Sequence, residues 1–162
     1  MKHPVLSDRV RLIIWWLVWL LLTAGQLLLY YFAYGSNLDK DRLIERIQKF
    51  HTGVRATLKE FKFEYSKVGT DGTAKANIIP SSGEEVRGVC YEIDESDLRI
   101  LDKFEKGYNR AKVDIAEPQS WGVTYTSKPT RGNIRPSAEY HKIVLKGAND
   151  WELDKDYVRN YL

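Results

Sequence analysis

A carboxylate stands on what is otherwise the apolar face of a predicted helix. Leu98, Leu101 and Glu105 follow one another at helical spacings and therefore share one stripe. Arg99 and Lys103 fall on the opposite, polar face. A carboxylate in such a place either pairs with a cation or titrates close to neutral pH, and the second state suits general acid–base catalysis. The same spacing fits equally well a side chain exposed at the rim, where the helix ends.

A second candidate for chemistry is the corner formed by Gly35, Ser36 and Asn37, where an aromatic, strand-like segment ends abruptly. A strand that turns at once into a helix leaves backbone N–H groups without partners, and such groups attract carboxylates and oxyanions. Glycine permits the tight turn and the close approach of a ligand. The alternative is a plain helix cap, and the tripeptide taken alone favours that alternative.

These two features need a folded domain to position them. The chain has 162 residues, of which 43% are hydrophobic and 29% charged, a composition typical of one globular domain. Apolar periods of two residues predict strands, and periods of 3.6 residues predict helices. The predicted strands are 27–34, 54–67, 77–80, 86–93, 108–116 and 120–127, and the predicted helices are 38–50, 94–105, 136–150 and 154–162.

Local signals place the ends of these elements. Asn37 is the predicted N-cap of the first helix, and Gly147 is predicted to end the third. The glycines of 68–77 predict a flexible loop. The apolar face of the first helix is predicted to consist of Leu43, Ile44, Ile47 and Phe50.

The connections between the predicted elements decide the fold class. Few of them are long enough for right-handed crossovers between parallel strands. We therefore predict an α+β fold, in which helices flank a small, mixed and mostly antiparallel β-barrel. This domain is predicted to span residues 26–162, and no internal repeat interrupts it.

Charge and composition narrow the kinds of partner. The net charge is +3 at pH 7, and the residues after 25 contribute only +1 of it, without a basic stripe, so we expect no nucleic-acid partner. The three histidines are isolated and no Cys–His cluster exists, so we expect no metal site. Cys90 is the only cysteine, which favours a reducing, cytoplasmic location. The sequence leaves the oligomeric state open.

The N-terminal segment 1–25 carries an uninterrupted apolar run, residues 12–22, behind Arg9 and Arg11. It fits three interpretations: a signal peptide cleaved after Gly25, a membrane tether, or an extension of the gene model before the true start. As a transmembrane span it is short, because the first strand begins directly behind it. The sequence favours tether and extension over secretion. A membrane is therefore an expected partner only through this apolar segment, residues 12–25.

Three blocks of the sequence resemble, in order and spacing, the γ-glutamylcyclotransferase family, also described as AIG2-like. They are YFAYGSNL, GVCYEIDESDLRILDKFEKGYNR and PSAEYHKIVLKGA, and the intervening KVGTDGTAKANIIP matches as well. The resemblance covers about residues 28–160, most of the chain. It departs from the family at Lys106, which separates Glu105 from Gly107 where the family usually has Glu-Gly directly.

The resemblance implies a small mixed barrel flanked by helices and an enzyme that needs neither metal nor cofactor. The implied reaction converts a small-molecule γ-glutamyl amino acid into 5-oxoproline and the free amino acid. Glu105 matches the catalytic acid/base of the family. The implied substrate-binding residues are Tyr31, Phe32, Ala33, Tyr34, Gly35, Ser36, Asn37, Tyr125 and Tyr140.

Two alternatives remain open at the level of the sequence. The same chemistry fits glutathione or a γ-glutamyl-amine, with the leaving side recognised by the loops 68–77 and 127–136. A non-catalytic module that binds γ-glutamyl ligands at a membrane is the alternative from another class. Cations in or beside the two loops fit an acidic leaving group, although loop lysines are usually just solvated. They are Lys67, Lys75, Lys128 and Arg131.

Overall fold

A computed structural model of the chain describes residues 28–130, 132 and 134–162. The N-terminal segment 1–25 and its three interpretations lie outside these residues. The described part contains five strands, four α-helices and one 3₁₀ helix, Ser36–Leu38. The strands are β1 Leu28–Ala33, β2 Thr52–Val68, β3 Ala74–Asp94, β4 Asn109–Ile115 and β5 Ser120–Thr126, and the α-helices are α1 Lys40–Ile47, α2 Glu95–Leu101, α3 Ala138–Asp150 and α4 Lys155–Tyr161.

The five strands form one sheet in the order β2-β3-β1-β5-β4. Neighbouring strands are antiparallel except β1 and β5, which are parallel. The predicted α+β class and its mostly antiparallel pairing are confirmed. In the described part of the chain, the sheet does not close into the predicted barrel. Thr57 of the edge strand β2 forms an isolated bridge with Glu117, just beyond the end of the other edge strand β4, and its N–H donates to the Glu117 carbonyl at 2.9 Å.

Strands β2 and β3 form a long hairpin of 17 and 21 residues. The two strands predicted at 77–80 and 86–93 are parts of the single strand β3. Their union is possible because pairing with β2 resumes after a register shift between Lys59 and Phe61. At this irregularity Glu60 of β2 lies opposite residues 81–84 of β3, and the ladder continues on both sides of it. The loop predicted over 68–77 is accordingly shorter, since β3 already begins at its seventh residue.

Side chains of β1 pack alternately into two apolar clusters. Tyr31 and Ala33 belong to the first cluster, and Phe32 and Tyr34 belong to the second. The first cluster joins the sheet to the helices through Leu43, Ile47, Leu98, Leu101, Val144 and Ala148. The second lies within the curl of the sheet and includes Leu58, Phe63, Ile78, Val86, Val113 and Ile115. Because both faces of β1 are buried, this strand gives the corner that follows it a rigid base.

The first helix starts two residues later than predicted. Asp39, not Asn37, is the N-cap of α1, because its side chain accepts a hydrogen bond from the Asp41 N–H at 3.0 Å. Asn37 lies inside the 3₁₀ helix and is 3% exposed. Its amide is therefore available for contacts within the protein interior rather than for capping.

Two further expectations about the helices are wrong. Ile44, placed on the apolar face of α1, is 43% exposed. Gly147, expected to end the third helix, lies within α3, where an added Cβ would come 2.4 Å from the Leu38 carbonyl carbon. This glycine is needed for close packing of α3 against the 3₁₀ helix. Within the described residues, no helix is both long and apolar enough to cross a membrane.

Candidate active site

Glu105 lies just beyond the end of α2, in a turn that continues the helix. Its N–H donates to the Leu101 carbonyl at 3.0 Å, the hydrogen bond of one further α-helical turn. Leu98 and Leu101 on the same stripe are buried, and the Glu105 side chain is 14% exposed. The carboxylate is thus held near the protein interior, on the side where the helix packs against the domain.

Two donors hold one oxygen of this carboxylate. Arg46 Nη1 donates to Glu105 Oε1 at 2.9 Å, and Asn37 Nδ2 donates to the same oxygen at 3.0 Å. Arg46 also donates to Asn37 Oδ1 at 2.7 Å, and Asn37 Nδ2 contacts the Tyr31 hydroxyl at 2.6 Å. Because each partner is fixed by another, the network sets the position of the carboxylate. Of the two states that the sequence left open, pairing with a cation is the one observed.

The second oxygen of Glu105 is arranged differently from the first. No described residue forms a hydrogen bond with Oε2. A carboxylate with one anchored and one unengaged oxygen has a defined orientation and still keeps a site for a proton. The geometry of Glu105 is therefore suited to proton transfer to or from a bound ligand.

Glu105 borders a small cleft, here called the inner cleft, with an empty volume of about 280 Å³. The cleft lies at the end of β1, where the glycine corner, β5, α3 and the turn after α2 come together. Aromatic hydroxyls dominate its wall. The lining residues are Tyr31, Tyr34, Gly35, Ser36, Asn37, Ala76, Glu105, Tyr108, Tyr125 and Tyr140.

The tyrosines of the inner cleft remain protonated at neutral pH. Burial raises the pKa of Tyr31 and Tyr34 well above the ordinary value, and the nearby Glu105 raises the pKa of both further. Burial also raises the pKa of Tyr108, Tyr125 and Tyr140. Neutral phenols are hydrogen-bond donors, so this wall can position polar ligand groups without adding a net charge.

Most of these hydroxyls are already committed to backbone carbonyls. Tyr34 donates to the carbonyl of Tyr125, and Tyr108 donates to the carbonyl of Ala76. The Tyr125 hydroxyl lies 3.1 Å from the Leu98 carbonyl and 2.9 Å from Asp102 Oδ1. These bonds tie β3, β5 and the helix α2 to the cleft, so the wall is rigid before a ligand binds.

The glycine corner closes the cleft from the side of β1. A Cβ added at Gly35 would come 2.9 Å from Ala76 Cβ and 3.3 Å from the Tyr140 hydroxyl, so a side chain here would displace β3 or the tyrosine. The Ala76 N–H donates to the Tyr140 hydroxyl at 3.2 Å. Hydrogen bonding from Ala76 and Ser36 offsets part of the rise in the pKa of Tyr140. Glycine is therefore required at this position for close packing.

The structure brings together most of the site residues predicted from the sequence, but not all of them. Glu105, Tyr125, Tyr140 and five of the seven predicted loop residues line the inner cleft. The five are Tyr31, Tyr34, Gly35, Ser36 and Asn37. Phe32 and Ala33 are 0% and 1% exposed and lie in the apolar clusters. Strand alternation does not explain the difference, because Ala33 shares a cluster with Tyr31 and Phe32 shares one with Tyr34. On both faces it is the tyrosine, with its hydroxyl group, that lines the cleft.

Sequence reasoning missed Arg46, Ala76 and the position of Tyr108 in the cleft. Arg46 carried a recognisable signal. It lies three residues after Leu43 and four before Phe50, and so it borders the apolar stripe of α1 on the side opposite Ile44. A cation on one apolar helix face and a carboxylate on another indicate a buried pair between the two helices. Ala76 carried no such signal, because only the strand pairing of β3 brings it to the corner.

A wider cleft, here called the outer cleft, opens directly beside the inner one and has an empty volume of about 700 Å³. The two share Ser36, Glu105, Tyr108 and Tyr140. The remaining lining residues come from α1, the ends of β2 and β3, the turn between these strands, and the turn after α2. They are Arg42, Arg46, Lys67, Gly69, Thr70, Lys75, Phe104 and Lys106.

No group of three or more His, Cys, Asp or Glu side chains in the described residues is arranged to hold a metal ion. The loop 127–136, predicted to recognise the leaving side, contributes no residue to either cleft among those described. Of the four cations assigned to the loops, Lys67 and Lys75 line the outer cleft, Lys128 is exposed elsewhere, and Arg131 lies outside the described residues.

Comparisons with known proteins agree with this geometry. A model of the family described as "Gamma-glutamyl cyclotransferase, AIG2-like" matches residues 31–152. The chain is 33% identical to the gamma-glutamylcyclotransferase of Homo sapiens over 138 residues. The aligned region covers 78% of this chain and 73% of the relative. It is 31% identical over 140 residues to that of Bos taurus, with the same coverage.

Solved structures give the same result. A structure titled "Gamma-glutamyl cyclotransferase" superimposes on this chain with a TM-score of 0.74 and 27% sequence identity. The superposition covers 83% of this chain and 88% of that one. The family resemblance found in the sequence is thereby confirmed. With its corner, its buried glutamate and its tyrosine-lined cleft, the chain belongs to the γ-glutamylcyclotransferase family of cyclising enzymes.

Proposed function

We propose that this chain cyclises the γ-glutamyl group of small-molecule substrates, releasing 5-oxoproline and a free amine or amino acid, with Glu105 as the proton-transfer residue. The observation that carries this proposal is the state of that carboxylate. One oxygen is anchored by Arg46 and Asn37, the other has no partner among the described residues, and both lie beside the glycine corner. The names of the relatives, gamma-glutamylcyclotransferases, support the same activity.

The proposed reaction is intramolecular. The α-amine of the γ-glutamyl group attacks its own γ-carbonyl carbon, a C–N bond closes the five-membered ring, and the bond to the leaving amine breaks. The attacking ammonium first releases one proton to water and becomes an amine. During ring closure Glu105 accepts a second proton from this nitrogen and later donates it to the leaving nitrogen, so the enzyme returns to its starting protonation state. The released amine takes up one proton from water.

The inner cleft contributes position rather than a covalent step. Holding the chain of the substrate folded brings amine and carbonyl into contact, and this kind of proximity is worth roughly 7–11 kcal/mol in model reactions. The tyrosine hydroxyls and backbone groups that line the inner cleft are suited to holding the substrate in this folded shape. Cys90 is buried in the second apolar cluster, so we assign no chemical role to its thiol.

A negative charge develops on the γ-carbonyl oxygen as the ring closes. We assign its stabilisation to backbone N–H groups of the corner, from Tyr34 to Ser36, because preorganised donors act strongly where water is excluded. The Tyr31 hydroxyl is an additional donor, because burial keeps the pKa of Tyr31 well above its ordinary value and this hydroxyl accepts its hydrogen bond from Asn37. The proton of Tyr34 is already donated to the Tyr125 carbonyl.

The proposal is tested by measuring 5-oxoproline. The purified chain is incubated with γ-glutamyl-alanine, glutathione and ε-(γ-glutamyl)-lysine, and both products are quantified by mass spectrometry. We expect 5-oxoproline and the leaving amine in equal amounts from at least one substrate. The absence of 5-oxoproline from all three, with a protein shown to be folded by circular dichroism, contradicts the proposal.

The same panel separates the enzyme from a binding module. A module that senses γ-glutamyl compounds would bind one of the three, as measured by calorimetry, without forming 5-oxoproline. The unengaged Oε2 of Glu105 favours the enzyme, because a purely binding site gains affinity by satisfying that oxygen. Which of the three substrates is turned over fastest distinguishes amino-acid, glutathione and amine leaving groups.

The cellular location is a separate part of the proposal. A lone, buried Cys90 fits a reducing compartment, and we place the reaction in the cytoplasm. The apolar residues 12–25 decide whether the enzyme works there in solution or at a membrane. Fractionation of cells that express the full chain or a variant lacking residues 1–25 measures this directly. Membrane association of the full chain alone identifies the segment as a tether.

A further inference from the structure

The outer cleft carries a strong excess of positive charge. Among the described residues that line it, five are cationic and Glu105 is the single carboxylate. Glu105 is already neutralised by Arg46, with which it forms an ion pair at 2.9 Å. The excess positive charge of the outer cleft therefore comes from the other four cations, of which Lys75 is paired with Asp71 outside the lining. These are Arg42, Lys67, Lys75 and Lys106.

Two of these lysines stand at the boundary between the clefts. Lys67 Nζ lies 4.9 Å from the centre of the Tyr108 ring, and Lys75 Nζ lies 4.6 Å from the centre of the Tyr140 ring. Both tyrosines line both clefts. Contact with an aromatic face restrains an ammonium group, so these charges are localised where a substrate would leave the inner cleft.

Lys67 and Arg42 differ from Lys75 in having no carboxylate partner. Lys75 forms an ion pair with Asp71 at 2.8 Å. In the described part of the chain, neither Lys67 nor Arg42 takes part in an ion pair, and Arg42 Nε is buried without a hydrogen-bond acceptor. Burial lowers the pKa of both side chains. A partly desolvated cation without an internal partner is stabilised when an external anion binds.

A bound substrate would occupy both clefts, with the bond that breaks at the boundary between them. Glu105 belongs to both clefts, and the leaving nitrogen must reach it, so a γ-glutamyl group in the inner cleft directs the leaving half into the outer one. A leaving amino acid brings one α-carboxylate, and an acidic amino acid brings a second carboxylate. Two unpaired cations, Lys67 and Arg42, are available to receive them.

We propose that the outer cleft is a carboxylate-binding subsite for the leaving half of the substrate, and that it selects γ-glutamyl compounds whose leaving half is an acidic amino acid. This inference rests on the proposed function, because it presumes that the inner cleft holds the γ-glutamyl group. It assigns to Lys67 and Arg42 the role of specificity-determining residues and leaves the chemistry to Glu105.

The test compares γ-glutamyl-glutamate with γ-glutamyl-glutamine, which have the same shape and differ by one negative charge in the leaving half. The ratio of their kcat/KM values for 5-oxoproline release is measured for the wild type and for Lys67→Met. The matched control is Lys59→Met, which removes one positive charge from an exposed position on the same strand, β2, outside both clefts. Because both substrates are measured on one preparation, partial misfolding does not change the ratio.

We expect the wild type to favour γ-glutamyl-glutamate by about tenfold, the scale of one charge-assisted contact, and Lys67→Met to lose most of this preference. Lys59→Met is expected to keep the wild-type ratio. A wild-type ratio near one, with 5-oxoproline formed from both substrates, overturns the subsite and leaves the proposed function intact. Equal losses for both substrates in Lys67→Met also overturn it, because Lys67 would then not distinguish the second carboxylate of the leaving half from an amide. No 5-oxoproline from either substrate overturns the proposed function and this inference with it.

Discussion

The inner and outer clefts share Glu105 and two tyrosines of their common wall, yet their polar groups are held in opposite ways. In the inner cleft, hydroxyls and amides bond to one another and to backbone carbonyls. Among the described lining residues, the only formal charge is the carboxylate of Glu105, which pairs with Arg46. In the outer cleft, by contrast, Lys67 packs against an aromatic ring, and neither Lys67 nor Arg42 has a carboxylate partner among the described residues.

This difference separates two requirements of one reaction. Ring closure needs a fixed geometry, and fixed geometry comes from satisfied polar groups on rigid elements such as β1, β5 and α3. Recognition of a leaving group needs an attractive field and tolerates mobile side chains, because a lysine can follow a carboxylate. Substitutions in the inner cleft should therefore impair all substrates, whereas those in the outer cleft should change the preference among substrates.

Among the residues around Glu105, the largest effect is expected at Arg46, which lines the outer cleft but acts through the carboxylate that both clefts share. Arg46→Met removes the cation that anchors Glu105 Oε1 and leaves that carboxylate, 14% exposed, without its charge partner. We expect kcat/KM to fall by about 10²-fold for every γ-glutamyl substrate and the free energy of unfolding to drop by about 1–3 kcal/mol. Steady-state kinetics and urea denaturation measure the two quantities.

The matched variant is Arg42→Met, one helical turn earlier on α1. Arg42 lines the outer cleft but does not contact Glu105, so its loss should affect acidic leaving groups more than neutral ones. Equal losses of kcat/KM for all substrates in Arg42→Met and Arg46→Met would contradict the assignment of leaving-group recognition to Arg42 and of ring closure to the Arg46–Glu105 pair.

An intermediate effect is expected at Tyr125. Its hydroxyl lies between the Leu98 carbonyl and Asp102, and Asp102 is held by Arg110 at 2.6 Å. Tyr125→Phe should lower kcat by about tenfold with little change in KM, because the wall shifts while the substrate contacts remain. Asp102→Asn should give a smaller loss of the same kind. A change in KM alone for Tyr125→Phe would make the tyrosine a binding group instead.

The smallest effect is expected at Ser36, which belongs to both clefts and lies against Tyr140. Ser36→Ala keeps the backbone of the corner and removes only the hydroxyl, so we expect KM to rise by about two- to fivefold with kcat nearly unchanged. Initial rates over a range of substrate concentrations measure both constants. A loss of kcat of the order seen for Arg46→Met would identify the hydroxyl as part of the chemistry.

Local patterns predicted the parts of the fold that depend on neighbouring residues. The spacing of apolar residues predicted seven elements close to their observed positions. They are the strands β1, β2, β4 and β5 and the helices α2, α3 and α4. The length of β3 was missed because pairing with β2 overrides a segment that contains Gly83 and Pro80. Closure of the barrel was overestimated, since the approach of β2 and β4 depends on the curl of the whole sheet rather than on any local signal.

The same distinction holds for the candidate site. Glu105 and the glycine corner were predicted because a charge on an apolar stripe and a sharp turn are visible in sequence. The buried pair between Arg46 and Glu105 joins residues 59 apart, and its geometry depends on how α1 packs against α2. Asn37 was assigned to capping, because no local pattern distinguishes a cap from an amide that turns inward to hold a carboxylate.

The claim that Glu105 transfers the protons of ring closure is tested most directly by one measurement. The 5-oxoproline formed in a single turnover is followed by rapid quench for the wild type and for Glu105→Gln, with enzyme in excess over substrate. Glutamine preserves the shape of the side chain and removes its ability to accept a proton, so the account predicts a rate lower on the order of 10³-fold in a protein of unchanged fold. A Glu105→Gln rate equal to that of the wild type would contradict it.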